Sequence, residues 1–320
     1  MPEDCPRTLT DFERRFSSDD ACRQYLSGLR WPRGFVCPKC AGKTAWQATR
    51  ERWVCGDCRY QATVTAGTIF QDSHLPLTIW FRAMWYVTNQ ADGARALDLQ
   101  RILGLGSYKT AWAMLHKLRR VMASCGRTRL LGVVEVDELH WRRIKGVAGR
   151  LTDKDRKNKT DKGNENDKKE SLIMVAAEDD GTNVGRIRLR CVPDLTKTTL
   201  HDFVTRNICL HSTVRTDRQK EYLGMKGYIH DRQMQGQQTE GECPLSHVHR
   251  VMLLLTRWLL NTPQGATGIS PECLDSYLDE FAFRFRWRKL QPQSELFYRL
   301  TQQSMQVEPA PFDSLCKPHP

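Results

Sequence analysis

The chain has 320 residues, 40% apolar and 27% charged, with 49 Lys and Arg against 37 Asp and Glu and a net charge of +12. That length holds two or three small cores, and no apolar run approaches the roughly 20 residues a spanning helix needs. The start, Met1-Pro-Glu-Asp-Cys5, lacks a basic region followed by an apolar stretch, so secretion and membrane insertion are not expected and a cytoplasmic location is.

The charge is uneven. Residues 1–130 carry 20 basic side chains against 11 acidic ones, leaving 29 against 26 for the rest. A basic front half predicts a polyanionic partner, most often nucleic acid.

Residues 1–33 form a helical segment in which Phe12, Phe16, Cys22, Tyr25, Leu26 and Leu29 recur at helical spacing. Residues 34–70 follow with Cys37-Pro-Lys-Cys40 and Cys55-Gly-Asp-Cys58. Two residues inside each pair let both thiolates reach one ion from a single turn, and the 14 residues between the pairs suit a hairpin that aligns the turns. This is zinc-ribbon spacing. Redox Cys-x-x-Cys motifs usually come singly, and a duplicated pair is metal-like. Four protein ligands leave no open position, so Cys37, Cys40, Cys55 and Cys58 predict a structural Zn²⁺. Trp46, Trp53, Val54 and Tyr60 alternate along the ribbon and are expected to be its small core rather than a base-stacking surface. The other eight cysteines (Cys5, Cys22, Cys125, Cys191, Cys209, Cys243, Cys273 and Cys316) have no framework spacing and are expected to be free thiols.

Residues 71–129 turn helical. Leu77, Trp80, Phe81, Met84 and Val87 share one face, and a second helix over 94–103 ends at Gly104. Ser107 can cap a third, Tyr108 to Met122. Two helices joined by a short glycine-containing turn, the second opening on polar and basic groups, fit a helix-turn-helix as well as an ordinary hairpin; the adjoining ribbon favours DNA. Tyr108, Lys109 and Thr110 would then face base edges, with Lys117, Arg119 and Arg120 on phosphates.

Residues 130–290 read as an α/β domain. Leu130-Leu-Gly-Val-Val-Glu-Val-Asp137 is a buried strand with carboxylates at its tip. Residues 150–170 are charged and nearly devoid of apolar side chains, a disordered loop or hairpin tip. Strands follow over 172–178 and 185–192; the second alternates apolar residues with arginine, so one face should be wet. A helix over 195–208, a short strand ending at Asp217, and helices over 244–260 and 270–285 complete the domain, with a C-terminal helix and tail over 291–320. Three strands, helix, strand, helix, with aspartates ending the first and fourth strands, is the ribonuclease-H-like plan. There Asp137 and Asp217 would share a site holding Mg²⁺ or Mn²⁺ for phosphoryl transfer.

Nearly end to end, the chain resembles the ISXO2-like (IS1595) insertion-sequence transposases. The resemblance rests on Arg30-Trp-Pro-Arg-Gly-Phe-Val-Cys-Pro-Lys-Cys40, Thr63-Val-Thr-Ala-Gly-Thr-Ile-Phe70, Tyr108-Lys-Thr-Ala-Trp112, Val134-Glu-Val-Asp-Glu138, His249-Arg-Val251 and Tyr277-Leu-Asp-Glu-Phe-Ala-Phe-Arg-Phe285. It implies a DDE-type transposase that binds terminal inverted repeats of double-stranded DNA through zinc ribbon and helix-turn-helix, then cuts and joins strands with divalent metal, acting as a homo-oligomer on two DNA ends. It carries the zinc role to Cys37, Cys40, Cys55 and Cys58 and the catalytic metal role to Asp137 and Asp217. The family's third ligand, usually Asn, falls on Leu254 and its companion Lys on Thr256. Leucine has no donor atom. On a helix His247 lies two turns from Leu254, and His249 points elsewhere around it; Glu280 reaches the site only if the next helix folds over it. The family pattern is also broken at Leu139-His-Trp-Arg142, Arg218 and Arg286. Two readings follow: a working transposase with a variant metal site, or a degenerate or repurposed copy that binds DNA without strand transfer.

Overall fold

The computed structural model describes residues 6–49, 52–123, 128–142, 170–181, 183–217, 219–233, 245–262, 269–289 and 294–315. The chain divides into two compact units, 1–124 with 289–315, and 125–288 with 316–320.

The first unit opens with two helices where the sequence reading has one. α1 (Leu9–Arg15) is capped by Thr8 and α2 (Asp19–Arg30) by Ser18, each hydroxyl accepting an N–H three residues on. A small antiparallel sheet follows, β1 (Ala45–Thr49), β2 (Arg52–Cys55) and β3 (Gln61–Thr63), in that order. Helices α3 (Leu77–Asn89), α4 (Ala96–Leu103) and α5 (Tyr108–Ala123) come next. Pro76 precedes α3 and offers no side-chain cap; Asp19 of α2 instead accepts the backbone N–H groups of Leu77 and Thr78 at 3.1 and 3.0 Å. Gly104 ends α4 at φ +64°, where a glycine is favoured.

The second unit is a five-stranded mixed sheet. β4 (Val133–Arg142), β5 (Glu170–Asp179) and β6 (Val184–Val192) form an antiparallel meander. Helix α6 (Lys197–Asn207) crosses over to β7 (Thr213–Thr216), which pairs parallel with β4, and β8 (Ile229–Arg232) adds in parallel at the edge. The spatial order is β6-β5-β4-β7-β8. The two faces carry separate cores. Val134 and Val136 of β4 meet Leu200, Phe203 and Val204 of α6, while Leu139 and Trp141 join α7 (Ser246–Asn261) and α8 (Leu274–Arg286) on the other face. The wet face expected of β6 is partly closed: Arg186 pairs with Glu178 and Arg188 is buried, donating to the carbonyls of Ile187 and Thr128. Most of the charged segment 150–170 lies outside the described residues.

The last helix, α9 (Ser294–Ser304), belongs to the first unit. Phe297 is fully buried there, its ring within 6 Å of those of Phe12, Phe16, Phe81 and Trp85. No helix among the described residues is long and apolar enough to cross a membrane.

Candidate metal centres

In the ribbon, the turns on either side of β1 and β2 bring Cys37, Cys40, Cys55 and Cys58 together with all four sulfurs within 4.8 Å of one another. Cys37 and Cys58 are 3.7 Å apart, Cys40 and Cys55 3.6 Å. A tetrahedron with Zn–S bonds of about 2.3 Å has edges of about 3.8 Å, whereas a disulfide would need about 2.05 Å. The four thiols therefore fit one zinc ion. Burial pushes the Cys37 thiol up, but the backbone N–H groups of Cys40 and Lys39 and the neighbouring thiols outweigh it and bring it down to about 7. The aromatic residues divide. Trp53 packs with Trp31 and Phe35 as core, but Trp46 and Tyr60 are exposed, with the Arg59 guanidinium 5.0 Å over the Trp46 ring. Of the scattered cysteines, Cys22, Cys191 and Cys209 are free, but Cys273 is disulfide-bonded, a pairing that spacing alone does not reveal.

On the α4–α5 pair, Tyr108 and Lys109 are exposed at the start of α5, with Lys109 Nζ 4.5 Å over the Phe312 ring, and Thr110 is half-buried. Lys117 is half-buried, its ammonium lowered by desolvation, and Arg120 reaches Ser314 at 3.5 Å. Arg119 departs from expectation. It is 1% exposed and directed at the Ala94 carbonyl, because its position on α5 shares the inward face with Ala111, Leu115, Leu118 and Met122. A phosphate cannot reach it in this fold.

The second centre lies where β7 ends beside β4; Asp217 follows β7 directly, but Asp137 is not at the strand tip expected of it, because β4 runs on to Arg142 in its pairing with β5. The parallel register pairs Val133 with Thr213 and Glu135 with Arg215, so the same offset sets Asp137 level with Asp217, just past the last ladder pair. Their carboxylates and that of Glu138 lie within 4.8 Å of one another. Gln219 donates its side-chain amide to Glu138 Oε1, Tyr222 OH lies 3.4 Å from Oε2, and the Gln219 N–H donates to Asp217 at 3.1 Å. Burial, then the charges of Asp137 and Asp217, push Glu138 up to about 7. Burial also raises Asp137, against the Glu138 N–H and His249, which pull it down. Tyr222 lies well above the ordinary phenol range through burial and the same three acids. Three clustered carboxylates are hard oxygen donors, which suit Mg²⁺ or Mn²⁺.

Helix α7 adds an imidazole beside the cluster. His249 Nε2 is 3.0 Å from Asp137 Oδ2. Leu254, where the resemblance sets the third ligand, is 40% exposed. His249 thus does face Asp137, contrary to a projection made relative to Leu254; what matters is which helix flank meets β4. Glu280 is fully buried, and its carboxylate takes the guanidinium of Arg284 one turn on at 2.8 Å.

A ribbon with four converging cysteines and a mixed sheet with three carboxylates converging at its central strand define a two-part protein with two candidate metal sites. The ribbon region, residues 17–61, matches the transposase zinc-ribbon domain, and residues 129–286 match the ISXO2-like transposase domain. The chain belongs to the ISXO2-like (IS1595) family of insertion-sequence transposases. An uncharacterized protein in transposable element ISH50 of Halobacterium salinarum is 28% identical over 144 residues, 44% of this chain and 47% of that one, so the match spans about half the relative's length. Among solved structures, a Mos1 transposase paired-end complex with left transposon end aligns over 71% of this chain and 79% of its own at 11% identity and a TM-score of 0.28. A pre-cleavage Mos1 transpososome aligns over 70% and 78% at 8% identity and a TM-score of 0.27. At those scores neither likeness bears on the fold or the site.

Proposed function

We propose that this chain is an active DNA transposase whose first unit recognises the inverted-repeat ends of its element and whose second unit, ribonuclease-H-like in plan, cuts and joins strands. The observation that carries the reading is the convergence of Asp137, Asp217 and Glu138 at the end of the β4–β7 ladder. The sheet order β6-β5-β4-β7-β8, a meander followed by parallel strands across a helix, supports the ribonuclease-H-like assignment.

Asp137, Asp217 and Glu138 would hold Mg²⁺ or Mn²⁺, with the His249 imidazole bonded to Asp137. A divalent ion there lowers the cost of charge developing on the scissile phosphate and of deprotonating the attacking oxygen. Water attacks phosphorus as the bond to the 3′ oxygen breaks, leaving a 5′-phosphate and a free 3′-hydroxyl. That hydroxyl then attacks a phosphodiester of target DNA, loses its proton and displaces the target's own 3′ oxygen. Gln219 and Tyr222 orient Glu138 beside the same point. Tyr108, Lys109 and Thr110 at the start of α5 are the groups proposed for base edges, and Lys117 and Arg120 for phosphates. Two ends must be brought together, so the reaction requires at least a dimer. The α7 residue bonded to Asp137 is His249, which supports a site that does not depend on position 254.

The test is Mn²⁺-dependent cleavage of DNA carrying the element's inverted repeat by the full chain. Cleavage lost on Asp137→Asn or Asp217→Asn is expected; a wild-type chain that binds the ends but never cuts them would refute the catalytic half of the reading.

A further inference from the structure

Glu135 has no part in the metal centre, yet it is 2% exposed on the sheet face shared with the apolar Leu139 and Trp141. A carboxylate is rarely buried unless its oxygens are satisfied. Both are. Oε2 accepts the backbone N–H of Val248 at 2.9 Å, and Oε1 lies 3.1 Å from His247 Nδ1. Val248 is the third residue of α7, so its N–H is one of the four at a helix start with no partner inside the helix. Leu245, at the N-cap of α7, makes no side-chain cap bond. The cap is supplied from β4, 113 positions upstream.

A cap of this kind sets both the height and the rotation of the helix. Glu135 and Asp137 are two apart on β4, on one face and about 7 Å apart along the strand. His247 and His249 are two apart on α7 and project to opposite flanks, since two residues turn the helix by about 200°. With Val248 tied to Glu135 between them, His247 falls toward Glu135 and Asp179 and His249 toward Asp137. Sliding α7 by one residue, about 1.5 Å, would rotate it by about 100° and carry the His249 ring away.

We propose that Glu135 is a positioning residue that acts through His249: by capping α7 it holds the imidazole at Asp137, where the proposed divalent ion binds. This rests on the metal-dependent reading of the acid cluster above. The experiment measures Mn²⁺ affinity of the full, zinc-loaded chain by calorimetry or by loss of the free-ion paramagnetic resonance signal, without DNA. Asp137→Asn is the control for the reading itself: if it leaves Mn²⁺ binding intact, the metal site is misassigned, whatever Glu135 does.

With that control passed, Glu135→Ala and His249→Ala should each weaken Mn²⁺ binding by about 10-fold, the usual scale for groups that orient or join a metal site. The double variant should be little worse than either single one, because both remove the same imidazole contact with Asp137. Glu135→Gln keeps an acceptor for the Val248 N–H and should stay within about threefold of the parent. If Glu135→Ala does not fold by near-ultraviolet circular dichroism, Glu135→Asp replaces it; its carboxylate is one methylene short of spanning Val248 and His247. Unchanged Mn²⁺ affinity in a folded Glu135→Ala or Glu135→Asp chain, or losses that multiply when combined with His249→Ala, would overturn the proposal.

Discussion

Glu138 shows how far a single residue can be read from its neighbours. Successive strand residues point to opposite faces, so sequence alone sends Glu138 away from Asp137. The β7 ladder ends at Thr216, however, and beyond it the longer glutamate side chain reaches the same point as both aspartates. In the metal-free protein its folded pKa is about 7 against an ordinary 4.5. A raised acid binds its proton more tightly when folded, so its contribution is complete below about pH 4.5 and is lost as pH rises to about 7. Glu138→Gln should therefore stabilise the metal-free chain at pH 8 by on the order of 1 kcal/mol and flatten the pH dependence below it, as read by urea unfolding. Saturating Mn²⁺ should abolish the difference or reverse it. Arg119 gives the opposite lesson. It reads as a basic side chain on a basic helix, and only the phase of the neighbouring apolar residues marks it as inward. Arg119→Ala should lower stability by about 1–3 kcal/mol, the scale of a lost buried donor and its packing. Lys109→Ala should leave stability within about 0.5 kcal/mol and lower the preference for end DNA over random DNA. Arg119→Ala protein of wild-type stability but uniformly weakened DNA binding would restore the phosphate role.

At the scale of elements, the sequence pattern located the three α-helices and four of the five strands among the described residues of the second unit. Asp137 was legible because it follows the β-branched run Val133-Val-Glu-Val136, although β4 continues past it to Arg142, and Asp217 because it directly follows the short strand Thr213–Thr216. β8 was not, since Ile229-His-Asp-Arg has one apolar residue in four, and that one is 62% exposed on an edge strand. His249 was hidden for a different reason: which flank of α7 meets β4 is decided by a cap from Glu135, a contact between residues over a hundred positions apart. The C-terminal helix was legible as a helix but not as part of the front unit, because nothing in a local pattern says where an amphipathic face docks. Its burial has a consequence for how DNA binding can be tested. Phe297→Ala should cost about 3–5 kcal/mol in the first unit, measured by denaturant unfolding followed through Trp85 and its neighbours. A fragment ending near Leu130 lacks that ring and should fold poorly, so recognition of DNA ends is to be measured on the full chain. If Phe297→Ala unfolds at the wild-type midpoint, α9 is not the keystone of that core.

For the whole molecule, the two metal centres lie in different units with separate cores, and that separation can be tested directly. The basic excess over residues 1–130 predicts end binding that weakens steeply with salt, because each phosphate contact releases condensed counterions. A zinc ion at the four cysteines would supply most of the folding energy of a ribbon whose apolar core is only a handful of residues, so Cys58→Ser should release the zinc, unfold the ribbon and abolish the preference for end DNA. The residues of the acid cluster all belong to the second unit. Mn²⁺ affinity in Cys58→Ser protein should therefore stay within about threefold of the parent, while Asp137→Asn should remove Mn²⁺ binding and keep one zinc and full end preference. Metal analysis, calorimetry with Mn²⁺ and competition binding at two salt concentrations read all three quantities on the same preparations. Loss of Mn²⁺ binding together with zinc in Cys58→Ser would mean that the ribbon is needed to build the cluster. Recognition and cutting would then be one cooperative structure rather than two that meet on DNA.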